Sequence, residues 1–355
     1  MGAISLGIGL AEAGLLPDLI VRFGIRGLVR ERLTEINEAS CEQVLAAKRS
    51  RSEALSHGPI AVETDLANEQ HYEVAPAFFE QVLGRYLKYS CGLWEDASCD
   101  LDRSEAAMLR LTCERAEVQN GMRILDLGCG WGSLSLWLAE QYPEAKIMSV
   151  SNSKPQREFI LRRCHEQGIR NIEVRTADVN VFEPGSQFDR VLSIEMFEHV
   201  QNHPLLLSRI GRWLTPDGKL FVHHFSHRET TYPFEVNGPN DWMSRYFFSG
   251  GIMPSDDLLL RCQQDLLVEQ HWRVPGTHYQ KTSEAWLARQ DDRREVILPI
   301  LAGVYGPDHA KQWFHRWRLF FLACAELFGY RGGEEWFVTH ALMSPRRDHG
   351  PQSTT

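Results

Sequence analysis

Between residues 121 and 225, short apolar runs alternate with amphipathic stretches. Residues 123–127 (Arg-Ile-Leu-Asp-Leu) read as a strand that ends in a glycine-rich turn. Residues 146–150, 171–175, 189–193 and 219–225 predict four more strands. Helical periodicity fills 133–141, 154–166 and 205–214. Pro216-Asp217-Gly218 marks a turn before the fifth strand. This βαβ rhythm predicts an α/β fold, a mostly parallel sheet with helices on both faces.

The flanks follow other patterns. Residues 15–55 read as helical, with Leu16, Ile20, Val21, Phe23, Ile25, Leu28 and Leu33 forming an apolar stripe. Arg22, Arg26, Arg30, Glu31 and Arg32 fill the other face. Such a basic amphipathic helix packs on its own protein or lies on a lipid surface. Residues 50–63 read as a linker. Residues 71–114 read as mostly helical, broken at Tyr89-Ser90-Cys91-Gly92. Beyond 225 the rhythm fails. Residues 226–241 read as loop, and 255–263 and 283–330 as helices rich in aromatics. Residues 266–274 and 336–343 alternate like strands and would complete a seven-stranded sheet at its far edge. The chain then divides into an N-terminal helical segment (1–65), a helical cap against a cofactor (66–120), a ligand-binding core (121–225), lid insertions with the last strands (226–345) and a flexible tail (346–355).

Composition narrows the function classes. Lys plus Arg is 38 and Asp plus Glu 47 in 355 residues, a net charge of −9. That balance argues against nucleic acid as the main partner, which needs a cationic face, and admits a cationic small molecule. Eight scattered cysteines without a CxxC pair predict reduced thiols in the cytoplasm and no metal site. No stretch is apolar and long enough to span a membrane. Residues 1–24 are interrupted by Glu12, Pro17 and Asp18 and lack the marks of a signal peptide. The oligomeric state stays open, with a homodimer as one option.

The turn Asp126-Leu127-Gly128-Cys129-Gly130-Trp131-Gly132 follows a strand and opens a helix. Its glycines let a ligand approach the backbone, and the helix N-terminus offers unpaired N–H groups. A dinucleotide site wants GxGxxG, but the last position is Ser133, and Val150-Ser151-Asn152 supplies no acidic residue after the second strand. A phosphate-binding P-loop needs a Gly-Lys-Ser/Thr ending, which is absent. The third reading is S-adenosylmethionine, because DxGxGxG resembles the first motif of class I methyltransferases. That resemblance implies that Asp126, Gly128, Gly130 and Gly132 surround the amino-acid end of the cofactor. It puts Asp178 and Val179 at the adenine, and leaves Asn152 and Gln156 as ribose contacts.

Ser193-Ile194-Glu195-Met196-Phe197-Glu198-His199-Val200 ends the fourth strand, where α/β sheets bind ligands. Two carboxylates and an imidazole there make an acid/base group. The alternative for Glu198 is a helix cap. His223 ends the fifth strand and would reach the same pocket.

The chain also resembles the cyclopropane-fatty-acyl-phospholipid synthase superfamily from about residue 15 onward. The resemblance rests on His71-Tyr72-Glu73-Val74 with Phe78-Phe79, Lys88-Tyr89-Ser90-Cys91, residues 125–132, Met196 to Val200, and Tyr246-Phe247-Phe248-x-Gly250-Gly251-x-Met253-Pro254-Ser255. Two branches are implied. The synthases methylenate lipid double bonds with bicarbonate as base. Its ligands would fall on Cys91, Glu198, His223 and Tyr279, with a further proposed active cysteine at Cys324, and a membrane surface would be a partner. The second branch is coclaurine N-methyltransferase-like. It is favoured by Glu195 where the synthases have glycine, by Trp317-Arg318-x-Phe320-Phe321, by Ala325-Glu326-Leu327-Phe328-Gly329-Tyr330 and by Gly333-Glu334-Glu335-Trp336.

The second branch implies methyl transfer to a small-molecule amine, leaving S-adenosylhomocysteine, with Glu195, Glu198 and His199 as the catalytic group. Tyr89, Ser90 and Glu195 join the cofactor set. Tyr72, Tyr246, Phe248, Trp317, Phe321 and Phe328, with His223 and Tyr279, are the implied substrate side. Aromatic faces suit a cation or a flat ring, although the same stripe at helical spacing also suits a core.

Overall fold

The structure is a computed structural model that describes residues 3–37, 40–54, 56–62, 75–236, 238 and 241–346. Tyr72, the motif around it and the tail beyond 346 lie outside the described residues.

Three helices lead: α1 (Ala3–Glu12), α2 (Asp18–Asn37) and α3 (Cys41–Ala54). Two more, α4 (Pro76–Val82) and α5 (Leu101–Arg115), precede the sheet. The core runs β1 (Arg123–Leu127), α6 (Ser133–Gln141), β2 (Lys146–Ser151), α7 (Lys154–Gln167), β3 (Ile172–Thr176), β4 (Phe188–Ile194), α8 (His203–Trp213) and β5 (Leu214–His227). After it come β6 (Tyr232–Pro233), α9 (Trp242–Tyr246), β7 (Ile252–Met253), β8 (Leu266–Val274), α10 (Gly276–Asp292), α11 (Arg294–Tyr305), α12 (Ala310–Phe328) and β9 (Trp336–Pro345).

Local chemistry sets several of these boundaries. Ser153 accepts the N–H of Gln156, Pro155 fits the first turn, and Gly168 at φ 69° ends α7. Asn202 caps α8 through the N–H of Leu205. The strand order is β3-β2-β1-β4-β5-β9-β8. β1 to β5 run parallel, and β9 is antiparallel to both β5 and β8. The chain winds outward from β1 to β3 and returns to place β4 beside β1. That switch point opens a crevice at the carboxyl ends of β1 and β4.

Four expectations change. The break in residues 71–114 is much wider than four residues, because 83–100 is not helical. Glu105 accepts the N–H groups of Gly84 and Tyr86, and Asp102 that of Arg85, so side chains of α5 hold a tight turn at Gly84–Leu87 that ends α4. The turn at 216–218 is a bulge inside β5, which pairs Phe188 with Leu214 and then Arg190 with Lys219. Of the helix expected at 255–263, only a single 3-10 turn at Leu259–Arg261 forms. Ser255 instead bridges to His227 and donates to Asp257.

The fourth change concerns α2. Val29 and Leu33 are buried, but Ile20 and Phe23 are 53% and 76% exposed. Of the basic face, Arg22 turns inward, while Arg26, Arg30, Glu31 and Arg32 stay exposed. Arg22 bonds both Glu284 and Glu326, and Arg26 pairs with Glu326. The helix therefore docks through Val21, Ile25, Val29 and Leu33 in the core and through Arg22 and Arg26 on α10 and α12.

Candidate active site

The glycine turn leaves β1 at the switch point. Gly128 and Cys129 donate to the carbonyl of Val150, at 2.9 and 3.0 Å, which ties the turn to β2. Gly128 has φ 87°, and a Cβ there would lie 2.7 Å from the side chain of Met196. Gly130 has φ 52° with open space where a Cβ would stand. Asp126 sits beneath. It accepts Ser135 Oγ at 2.5 Å, and burial pushes it up to about 6.

Two cavities meet at this turn. The first is lined by Gly128, Gly130, Asn152, Gln156, Asp178, Val179, Glu195 and His199. The second is lined by Tyr89, Ser90, Asp126, Gly128, Gly130, Gln156 and Glu195, with Lys88, Trp131 and Ser133. Gln156 borders both. Its Oε1 accepts Ser151 Oγ at 2.6 Å, while its buried Nε2 has no partner among the described residues. Ser133 Oγ and Trp131 Nε1 are buried and unpartnered in the same sense. Asp178 Oδ1 accepts both N–H groups of Asn180 that reach it. The open turn and the unpaired buried donors fit a polar ligand such as S-adenosylmethionine.

The acid side is built from distant segments. Glu195 adopts a left-handed backbone, φ 48°, directly after β4. A non-glycine residue held there is strained, and such strain accumulates at functional sites. The twist aims its carboxylate between three donors. Oε1 accepts the N–H of Cys91 at 3.0 Å and His223 Nε2 at 3.2 Å, and Oε2 accepts the Tyr279 hydroxyl at 2.6 Å. Burial raises this carboxyl, and the Lys88 ammonium and the Tyr279 hydroxyl hold it down in part.

Glu198 and His199 lie on a 3-10 turn, Phe197–His199. Glu198 Oε1 accepts the N–H of Phe225 at 2.7 Å, so it braces β5 and caps no helix. Its Oε2 is buried without a partner among the described residues, and burial together with the Glu195 charge holds it well above the usual range. His199 borders the first cavity and stacks on Phe248, 5.7 Å between centroids and 8° from parallel. Burial pulls its ring down to about 4, which leaves it neutral near pH 7.

Several expected site residues sit elsewhere. Glu198 and Gly132 line neither cavity. Gly132 starts α6, where a Cβ would meet Ile160 at 2.7 Å. Trp317 and Phe321 are fully buried among Phe78, Phe320 and Trp286 and are core side chains. Tyr246 lies under the Arg316 guanidinium at 4.1 Å, and Arg316 also holds Glu12 of α1. Phe328 does reach the centre indirectly, stacking on Tyr279 at 4.3 Å. Cys324 is buried, and burial pushes its thiol up out of the reactive range. Sequence reasoning missed Lys88, Ser249 and Gly250 as lining residues, although all three stand inside the motifs quoted above. Ala61 and Val62 come from the stretch read as a linker and carried no signal.

The bicarbonate set can now be tested. Cys91, His223 and Tyr279 do converge, but on the Glu195 carboxylate. That side chain fills the position an acidic anion would take, so a free bicarbonate ion does not fit beside it. Glu198 contributes to β5 and not to this seat.

Fold, switch-point turn and cavities define an S-adenosylmethionine-dependent methyltransferase, and comparison with known proteins agrees. The sequence model of the family described as mycolic acid cyclopropane synthetase matches residues 62–334. The chain is 37% identical to (S)-coclaurine N-methyltransferase from Thalictrum flavum subsp. glaucum over 339 residues, 94% of each chain. It is 33% identical to pavine N-methyltransferase from the same plant, over 94% of this chain and 95% of that one. It superposes on a crystal structure of coclaurine N-methyltransferase bound to N-methylheliamine and S-adenosylhomocysteine with TM-score 0.93, at 36% identity, over 97% of this chain and 100% of that one. The chain belongs to the mycolic acid cyclopropane synthetase family, in its coclaurine N-methyltransferase-like branch.

Proposed function

We propose that the protein methylates the nitrogen of a small alkaloid-type amine. The observation that carries this reading is the Glu195 carboxylate, fixed by three donors at the border of both cavities. An amine enters as a cation and must lose a proton before its lone pair can attack carbon. A buried carboxylate attracts the cation and, because burial raises it, accepts the proton, while neutral His199 beside it adds no positive charge to repel the amine. Glu198 keeps the turn that carries both in register with β5. Phe248, stacked on His199 beside the first cavity, offers an aromatic face suited to a ring, and Phe328 backs Tyr279 from the core. Bound S-adenosylmethionine supplies an electrophilic methyl group. Gln156, Asn152 and Asp178 would hold its nucleoside part, and the glycine turn with Ser90 its amino-acid part.

Ser249 and Gly250, from the chain after β5, close one side of the first cavity, and α1 and α2 dock on α12 of the same C-terminal part. Cys91, Cys99, Cys113, Cys129, Cys164, Cys262 and Cys324 are free thiols, which supports a reducing, cytoplasmic setting.

The test is product mass after incubation with S-adenosylmethionine and a panel of primary and secondary amines that includes (S)-coclaurine and tetrahydroisoquinoline. A methylated amine with matching S-adenosylhomocysteine is expected. Methylene transfer to unsaturated phospholipid, with every amine left unchanged, would overturn the proposal.

A further inference from the structure

The antiparallel pairing of β5 with β9 sets His223 directly opposite His340. Both rings are fully buried, with centroids 4.6 Å apart. His340 Nε2 lies 2.9 Å from His223 Nδ1, and His340 Nδ1 lies 2.7 Å from Arg115 Nη1 at the end of α5. Arg115 is itself fixed. Its guanidinium lies 4.9 Å from the ring of Trp272, the β8 residue paired with His340. Arg190 holds the following carbonyls, Ala116 at 2.6 Å and Glu117 at 3.1 Å.

A guanidinium can only donate. His340 must therefore accept at Nδ1 and carry its proton on Nε2. His223 must then accept at Nδ1 and carry its proton on Nε2, which faces Glu195 Oε1 at 3.2 Å. Every donor in the chain points the same way. We propose that Arg115 is a positioning residue for methyl transfer: through His340 it locks the tautomer of His223, so that Glu195 always meets an N–H and is kept as an acceptor. The proposal rests on the role assigned to Glu195 above. Without Arg115 both rings could invert, His223 would present a lone pair, and Glu195 would have to carry a proton to meet it.

The groups that face Glu195 are Lys88 and Cys91 from the segment before α5, His223 and His224 from β5, Tyr279 from α10, Cys324 from α12, and Glu198 and His199 from its own loop. Those facing His340 are Arg115, Lys88, His223 and His224. Lys88 stays in every variant below, so it does not account for a difference between them.

The first test needs no turnover. Nitrogen-15 spectra of histidine-labelled full-length protein with S-adenosylhomocysteine report which ring nitrogen holds the proton. Both His223 and His340, assigned by loss of signal in His223→Asn and His340→Asn, should be pure Nε2–H. A mixed or Nδ1–H population at either ring would overturn the proposal whatever the enzyme methylates. The second test is the pH profile of kcat/KM with (S)-coclaurine as probe, or with the first amine of the panel that turns over. Arg115→Ala should move the acidic limb up by about one pH unit and lower kcat about tenfold, with the KM for S-adenosylmethionine unchanged. Arg115→Lys, which keeps a donor, should recover most of both. A profile in Arg115→Ala equal to that of the parent enzyme, or equal losses in Ala and Lys variants that track a fall in Tm, would sink it.

Discussion

The wall of the cleft on the β1–β2 side is made by chain-local geometry, whereas the wall on the β4–β5 side is assembled from four separate segments. On the first side, a strand, a turn with three left-handed glycines and a helix follow one another within 19 residues (123–141). On the second side, Cys91, Glu195, His223 and Tyr279 meet only because β4, β5, α10 and the segment before α5 converge. The local wall presents backbone and unpaired donors. The assembled wall presents one carboxylate whose surroundings decide where protons reside. A cofactor used alike by many enzymes can be held by generic backbone, but proton handling for one acceptor needs placed side chains.

The sharpest break of this contrast is Glu195→Gly. The backbone there is already left-handed, φ 48°, so glycine relieves strain and the fold should hold. Amine methylation should fall by more than about 100-fold, while affinity for S-adenosylhomocysteine changes by less than about threefold. The three donors would then surround an open anion seat, and added bicarbonate or formate should return part of the rate. A variant that keeps its rate, measured as labelled methyl transfer, would remove Glu195 from the centre of the chemistry.

The local wall breaks differently. Gly128→Ala combines φ 87° with a Cβ 2.7 Å from Met196, whereas Gly130→Ala has φ 52° and open space. Positive-φ strain of about 1–3 kcal/mol with the added contact should raise the Kd for S-adenosylhomocysteine at least about tenfold in Gly128→Ala. In Gly130→Ala the rise should stay below about fivefold. Calorimetric titration of both variants checks the order, and equal losses would mean that crowding by Met196 is irrelevant.

Acid should find the assembled wall first. Burial lowers His199, His203, His224 and His227 to about 4 from 6.5. A ring with a lowered pKa binds fewer protons when folded than when unfolded. Stability therefore falls as pH drops from 6.5 toward 4, by on the order of 1–3 kcal/mol for each ring. Glu105, raised to about 7, Asp126, raised to about 6, and Glu195 and Glu198, raised by the same burial, act in the opposite sense, but His223, His278, His315 and His340 are lowered too, so the histidines outnumber the raised carboxyls. Since domains hold only about 5–15 kcal/mol in total, denaturant midpoints should drop steeply between pH 6.5 and 5. A flat midpoint across that window would contradict the burial of these rings.

The same contrast explains what could be read from the sequence. The strand rhythm and the glycine turn are periodic and local, so residues 123–225 were legible nearly to their ends. Glu195, Glu198 and His199 were legible as a group, but not their division of labour. That depends on the left-handed turn at Glu195 and on where Phe225 lies in β5, neither of which has a pattern. His340 was hidden for the same reason, because its partner is set by the register of two strands 117 residues apart. Trp317 and Phe321 show the converse. At helical spacing a core stripe and a pocket wall look identical, and only packing against Phe78 and Trp286 separates them.

The smallest effect belongs to the layer that touches neither wall. The α2 helix meets α10 and α12 through Arg22 and Arg26. Arg22 bonds Glu284 at 2.6 and 2.7 Å and Glu326 at 2.9 Å, with its own side chain 21% exposed. Arg26 is 53% exposed and pairs with Glu326 alone. A half-buried bidentate pair is worth more than an open one, because less water competes for the charges. Arg22→Ala should therefore cost about 1–2 kcal/mol, since it also leaves Glu326 with one partner fewer, and Arg26→Ala less than about 1 kcal/mol. Both variants should retain the parent kcat for amine methylation, with midpoints from urea unfolding separating them. A loss of activity in either, at unchanged stability, would mean that this outer layer couples to the cleft after all.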